Sequence, residues 1–252
     1  MSRPETRDDW MRATGPLYPL VCALASVSAL SLFETLSPTR EDRDKAAPWL
    51  VAVGLVVGVA VAGIAVVGAQ IAMAPAAGAA MAVVGLAVIF AGHREDRVAH
   101  MVTAASAGAA AVAAAIVLCR LALVWGIAAS DWAAAFIASQ IAGLWAGLLA
   151  ARVAEFFAEK SAGDDAEASM PVRGVVVSGV AGAIMATITG GVAGLVGVLV
   201  ASVFAVVAGY VAGREKRTLA VGHGGVQLVG ELACLVVFAA LASAEMSPWI
   251  SY

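Results

Sequence analysis

The sequence predicts an all-α, polytopic integral membrane helical bundle, and three observations carry that prediction. Hydrophobic residues make up 62% of the 252 positions and charged ones only 13%, with a mean hydropathy of +0.93. A soluble domain is nearer half apolar and a quarter charged. Apolar runs of about twenty residues recur along the chain, the length at which a helix crosses a bilayer. Lys and Arg collect in alternate connecting segments, the asymmetry that orients membrane helices. The regular apolar–polar alternation of an outer-membrane barrel is absent from the sequence.

The first residues mix Arg3, Arg7 and Arg12 with Glu5, Asp8 and Asp9. A secretory signal begins with a net positive segment, so this balanced start predicts a retained N-terminus. Leu17 to Phe33 is apolar but short, and it contains Pro19. Both of its flanks carry three Lys or Arg, and both therefore prefer the cytoplasmic side. It reads as a re-entrant or interfacial helix, with a full span as the alternative. Arg40 to Lys45 follows as a charged segment.

The bundle proper then covers 46–245, with 1–16 a polar N-terminal segment and 17–36 the embedded helix of the same single domain. Spans are expected over 46–69, 71–92, 101–129 and 133–151, the last continuing into an amphipathic 152–160. Ser130-Asp131-Trp132 reads as a turn, and residues 161–173 are a Gly/Asp/Glu/Ser-rich loop. Residues 174–188 and 192–211 form a helical hairpin around Thr189-Gly190-Gly191. Gly222 to Gly225 reads as a glycine-rich turn, and 226–244 as the last apolar helix. Charged segments 37–46, 93–100, 152–173 and 213–224 hold nearly all the loop Lys and Arg, while the turns near 70–78, 129–132 and 189–191 hold none. Seven spans therefore alternate, with charged loops in the cytoplasm and the C-terminus outside. Gly54 and Gly58 make a small-xxx-small face suited to close helix packing. Cys22, Cys119 and Cys234 are scattered in apolar runs without metal or redox spacing, and read as packing residues.

Candidate chemistry lies where polar groups interrupt the hydrocarbon. Gly92 to His100 is a charged island holding two of the three histidines. On a helix, His93, Asp96 and His100 share a face, a spacing suited to a metal ion, with Glu95 beside them. A solvated junction whose acids pair with Arg94 and Arg97 is the competing reading. His223, in Gly222-His223-Gly224-Gly225, lies on another cytoplasmic segment, where glycine N–H groups at a helix start suit phosphate and a plain helix-breaking turn is the alternative. Arg120 and Glu231 fall inside spans, where each unpaired charge costs about 2.5–3.5 kcal/mol on insertion scales. Glu231 is expected to line a cavity open to the cytoplasm and Arg120 to snorkel outward, while a direct pair between them is possible but not required. No Walker loop, dinucleotide fingerprint, HExxH or GxSxG motif occurs. No basic patch with interleaved aromatics points to nucleic acid.

In the order of these elements the chain resembles the adenosylcobinamide-GDP ribazoletransferase (cobalamin 5′-phosphate synthase) family. Phe33-Glu34-Thr35-Leu36-Ser37-Pro38 is similar to that family's early Phe-x-Thr-x-x-Pro signature, and Gly92 to His100 stands where it has a longer acidic motif. Arg214 to Arg217, Leu219 to Gly225 and Glu231 follow the order of its basic cluster, Gly-Gly-x-Thr-Gly-Asp turn and Glu-bearing helix. Glu95 and Asp96 match the acidic motif. His100 and Thr103 replace its later aspartates, Ala104 its glycine, and Gly225 or Val226 the turn aspartate.

The resemblance implies a Mg²⁺-dependent transferase of cobalamin biosynthesis in a bacterial inner membrane, acting on cobinamide and nucleotide substrates. It implies Glu95 and Asp96 as metal ligands, His93, His100 and Glu231 as catalytic groups, and Arg217, His223, Gly224 and Gly225 as phosphate contacts. The substituted acids predict weakened Mg²⁺ binding, and so a diverged, altered or inactive enzyme. The alternative is a non-catalytic membrane scaffold, a complex subunit or a small-molecule carrier. Besides the lipid bilayer, a homo-oligomeric or other membrane partner stays open.

Overall fold

The computed structural model describes residues 6–27, 39–89, 106–162, 172–214 and 219–245. Among them the secondary structure is helical throughout, without strands. Lipid offers no hydrogen bonds to exposed backbone, so a spanning chain must satisfy its own amides, and helices do so locally.

The polar start folds as a short helix α1 (Arg7–Thr14). Its Thr6 cap is reciprocal: the Asp9 amide donates to Thr6 Oγ1 at 3.3 Å, and the Thr6 amide donates to Asp9 Oδ2 at 3.2 Å. The same device recurs at Thr39. Asp42 N–H donates to Thr39 Oγ1, and Thr39 N–H donates to Asp42 Oδ2 at 2.9 Å. Expected as a charged loop, Arg40 to Lys45 is instead the helix α3 (Arg40–Ala46), because this capping box satisfies its first amides and Glu41 pairs with Lys45 one turn on. Between them, α2 (Tyr18–Val27) sets Tyr18, Cys22 and Ala23 into a cluster with Ala46, Val53 and Leu144. The segment expected to be embedded thus packs beside the end of α3 and the start of the next helix. Its continuation, including the Phe33–Pro38 motif, lies outside the described residues.

The bundle is built from α4 (Trp49–Ile71), α5 (Pro75–Ile89), α6 (Ser106–Trp125), α7 (Trp132–Ala162), α8 (Val172–Arg214) and α9 (Leu219–Glu245). Four stretches in the described residues are long and apolar enough to cross a membrane: Trp49–Ile71, Ala129–Ala158, Gly174–Arg214 and Gly225–Ala242. Pro75–Ala87 and Ala111–Trp125 are shorter apolar helices. Trp132 is buried at the start of α7, and its indole N–H donates to the carbonyls of Val124 and Ile127 at 3.2 Å. It clamps the α6–α7 connection where a turn residue was expected.

Helix α7 is the centre of the bundle. Of its apolar window 67% is buried, against 28% for α8. Ile137 and Ile141 of α7 lie against Gly58 and Gly54 of α4 in reverse order, so the two helices are antiparallel. The glycine face expected from sequence is therefore a helix-packing face. The stretch α8 is two helical arms that reverse at Gly191, which adopts the non-helical φ 57° and ψ −142°. Trp145 of α7 touches Gly179 before the reversal and donates a hydrogen bond to Ser202 Oγ at 2.9 Å after it. The expected hairpin is thus present, with both arms against α7.

The outside of the bundle is strongly apolar. Val56, Val59, Ile184, Ile188, Val192 and Phe204 are among many large hydrophobic side chains that stand exposed. Arg120, Ser139, Gln140 and Glu231 are fully buried. An apolar exterior around polar interior groups is compatible with an integral membrane protein. Cys22 and Cys234 are buried packing residues as expected, whereas Cys119 is exposed on the outer face of α6.

A candidate functional site: the buried polar seam

The site begins with three positions on one face of α7. Gln140, Gly143 and Gly147 follow one another at i, i+3 and i+7, a spacing that keeps them on one side of a helix. Opposite, α9 presents Gln227 and Glu231 at i and i+4. Glycine is what brings the two helices together. A methyl on Gly143 would lie 2.7 Å from the Gln227 carbonyl oxygen and 3.3 Å from Glu231 Cβ. The Gln227 side chain lies directly on Gly147, and Gly230 packs on Ala146. Glu231 is six residues into the apolar stretch Gly225–Ala242, about 9 Å along the helix axis.

Arg120 enters from α6. Its Nη2 donates to Glu231 Oε2 at 3.2 Å, and its Nε approaches Oε1 at 2.9 Å as an ion pair without good hydrogen-bond alignment. Both side chains have zero exposure. The guanidinium thus meets the carboxylate at two points, one a hydrogen bond and one a close charge contact. Snorkelling was expected for Arg120 and does not occur, because Glu231 gives the cation a partner at depth. The expected opening of Glu231 to the cytoplasm is likewise replaced by full burial. Removing one member of such a pair strands a charge in a low-dielectric interior, which typically costs about 3–5 kcal/mol.

A second polar group lies further along α7. Arg152 is nearly buried and donates to Glu155 Oε2 at 2.9 Å. Nearby, Phe157 meets Tyr210 edge to face at 4.9 Å. Arg214 donates to the Tyr210 hydroxyl at 2.9 Å and stands 5.6 Å from its ring centroid. Amphipathic aromatics and Arg at a helix end are what the membrane–water boundary favours.

Of the residues expected to act, His93, Glu95, Asp96, His100 and Arg217 lie outside the described residues. His223, Gly224 and Gly225 are on the first turns of α9. The glycine-rich turn expected there is helix instead, with Gly225 buried. Glycine weakens a helix by about 1 kcal/mol per position relative to alanine, but leaving amides unbonded in or near lipid costs more. Among the described residues, no group of three or more His, Cys, Asp or Glu is placed to hold a metal ion, and the expected ligands Glu95 and Asp96 lie outside that set. Glu231 is brought together with Arg120. Gln140 and Gln227 escaped the sequence reading. Their only signal was an amide within an apolar run followed by glycine at i+3, as in Gln140 to Gly143 and Gln227 to Gly230.

In comparison with known proteins, the chain matches no family model, no curated protein and no solved structure.

Proposed function

We propose that this chain is a seven-span membrane protein carrying a ribazoletransferase-like site at the cytoplasmic end of α6 and α9. The reversal at Gly191 divides α8 into two arms, which with α4, α5, α6, α7 and α9 make seven apolar helices. Antiparallel packing of α4 on α7 agrees with the alternation of charged and uncharged loops. In this reading the loops at 93–100, 152–173 and 213–224 face the cytoplasm of a bacterial inner membrane. The segment 17–36 re-enters on the same side, a reading favoured by the shared cluster of Tyr18, Ala46 and Val53.

One observation supports the site above others: α6 and α9 run parallel. Arg120 meets Glu231, and Gly126, just past the end of α6, meets Ala239 further along α9. The starts of α6 and α9 therefore lie at one end of the bundle; in sequence the segment holding Glu95, Asp96 and His100 precedes α6, and His223 lies on the first turns of α9. Under this reading His93 and His100 serve as acid or base groups. Arg217, His223, Gly224 and Gly225 contact phosphate. Glu95 and Asp96 hold Mg²⁺, which would supply charge stabilisation to a phosphate-linked leaving group. In the reaction a hydroxyl of α-ribazole would attack the cobinamide-linked phosphorus, forming a phosphodiester as the phosphoanhydride bond breaks and GMP leaves.

The test is direct. Purified protein is given adenosylcobinamide-GDP and α-ribazole with Mg²⁺ or Mn²⁺, beside an Asp96→Ala variant. Product from the wild type and a large loss in the variant is expected. No product from either, where a family enzyme turns over, would sink this reading. That result would favour a non-catalytic scaffold, complex subunit or carrier. The seam itself lends that second reading a specific observation: Glu231 is fully buried against Arg120, and Gly143, Gly147 and Gly230 close α7 onto α9.

A further inference from the structure

We infer that Arg120 and Glu231 are positioning residues, a strut that fixes the register of α6 against α9. Helix α6 sits at the edge of the bundle. Among its described side chains Arg120 and Val124 are deeply buried, while Leu118, Cys119 and Trp125 face outward. Apolar contacts between membrane helices lack the hydrophobic drive they have in water, since lipid is as apolar as the neighbouring helix. Val117, Leu121 and Val124 therefore hold α6 to its neighbours without dictating its height. A two-point contact between guanidinium and carboxylate does dictate it.

The strut has long arms. Ser106 begins α6 fourteen residues before Arg120, and Leu219 begins α9 twelve residues before Glu231. At about 1.5 Å per residue these arms are roughly 21 and 18 Å long, and because the helices are parallel they end at the same side at nearly equal height. A slip of one helical turn would offset the two ends by about 5.4 Å. That exceeds the tolerance of any site built from groups on both. The consequence for activity rests on the functional reading above, whereas the register itself does not.

Register is measurable because the structure provides a reporter beyond the strut. A Cβ on Gly126 would lie 3.8 Å from Ala239 Cβ, a separation at which two cysteines form a disulfide. In full-length protein lacking Cys22, Cys119 and Cys234, the pair Gly126→Cys and Ala239→Cys is oxidised in membranes. Four backgrounds are compared: the native strut, Arg120→Met, Glu231→Gln, and the charge swap Arg120→Glu with Glu231→Arg. Cross-linking more than tenfold slower in each single variant, and recovered in the swap, is the expected result. Equal rates in all four backgrounds overturn the proposal. If the single variants fail to accumulate, the swap and Arg120→Lys decide it. Restored accumulation and cross-linking by the swap support the strut, and failure of both overturns it. Wild-type protein that cross-links normally yet makes no product in the transferase assay defeats the enzymatic reading and leaves the strut standing.

Discussion

Gly58 of α4 lies so close to α7 that a methyl group on it would sit 2.5 Å from the Cα of Ile137. The obstacle is backbone, which no rotamer change can move. Gly63, on the outer side of the same helix, has nothing within 4 Å of the equivalent point.

These two glycines make a matched pair for testing the packing of the bundle. Gly58→Ala should push α4 from α7 and destabilise the protein by about 1–3 kcal/mol, the usual range for overpacking. Gly63→Ala should lie within about 1 kcal/mol of wild type, in the stabilising direction, because alanine is the better helix former. Thermal unfolding in detergent checks both. Equal effects at the two positions would show that α4 does not pack on α7 through this face.

The ion pair allows a thermodynamic test separate from its register. Arg120→Met or Glu231→Met alone leaves one buried charge without its partner and should lower stability by about 3–5 kcal/mol. The double variant Arg120→Met with Glu231→Met removes both charges, and should recover most of that loss, since apolar replacements of buried pairs are often near neutral. Unfolding midpoints of the four proteins give the coupling directly. Additive losses in the double variant would mean that the two side chains do not act as a pair.

How far the sequence reveals this arrangement depends on the kind of signal each residue leaves. The hairpin at Gly190 and Gly191 was legible, because two glycines interrupt a long apolar run at the point where the chain must turn. The helix-packing role of Gly54 and Gly58 was legible from their spacing. Arg120 and Glu231 stood out as costly charges, and a pair between them was one option, but the sequence could not choose it, since pairing depends on which helices are neighbours across 111 residues of chain. Gln140 and Gln227 were missed because a neutral amide barely disturbs a hydropathy window. Two expected loops, around Arg40 to Lys45 and Gly222 to Gly225, are helical for different reasons: a Thr39–Asp42 cap in the first, and the need of backbone amides for partners in the second.

The reversal of α8 rests on a single residue. Gly191 has φ 57° and ψ −142°, a backbone region that is nearly closed to residues with a Cβ. Gly191→Ala should therefore cost about 1–3 kcal/mol without changing any side-chain contact, because a Cβ there meets nothing within 4 Å. Gly194→Ala acts differently, by driving a methyl into the Ala186 carbonyl across the hairpin. Both should lower the unfolding temperature. A wild-type Gly191→Ala protein would mean that the arms connect by some other backbone path.

Orientation can be tested at two exposed positions on opposite ends of α4. Met73, in the uncharged turn after α4, is 93% exposed, and Lys45 is exposed near the end of α3, just before α4. The proposed orientation has Lys45 in the cytoplasm and Met73 outside. In a background carrying Cys119→Ala, which removes the exposed native thiol, Met73→Cys should react with a membrane-impermeant maleimide on intact cells. Lys45→Cys should react only after permeabilisation. The reverse pattern would invert the bundle, moving the ends of α6 and α9 that lead to Ser106 and Leu219 out of the cytoplasm, and a site that uses cytoplasmic nucleotide substrates could not then be built there.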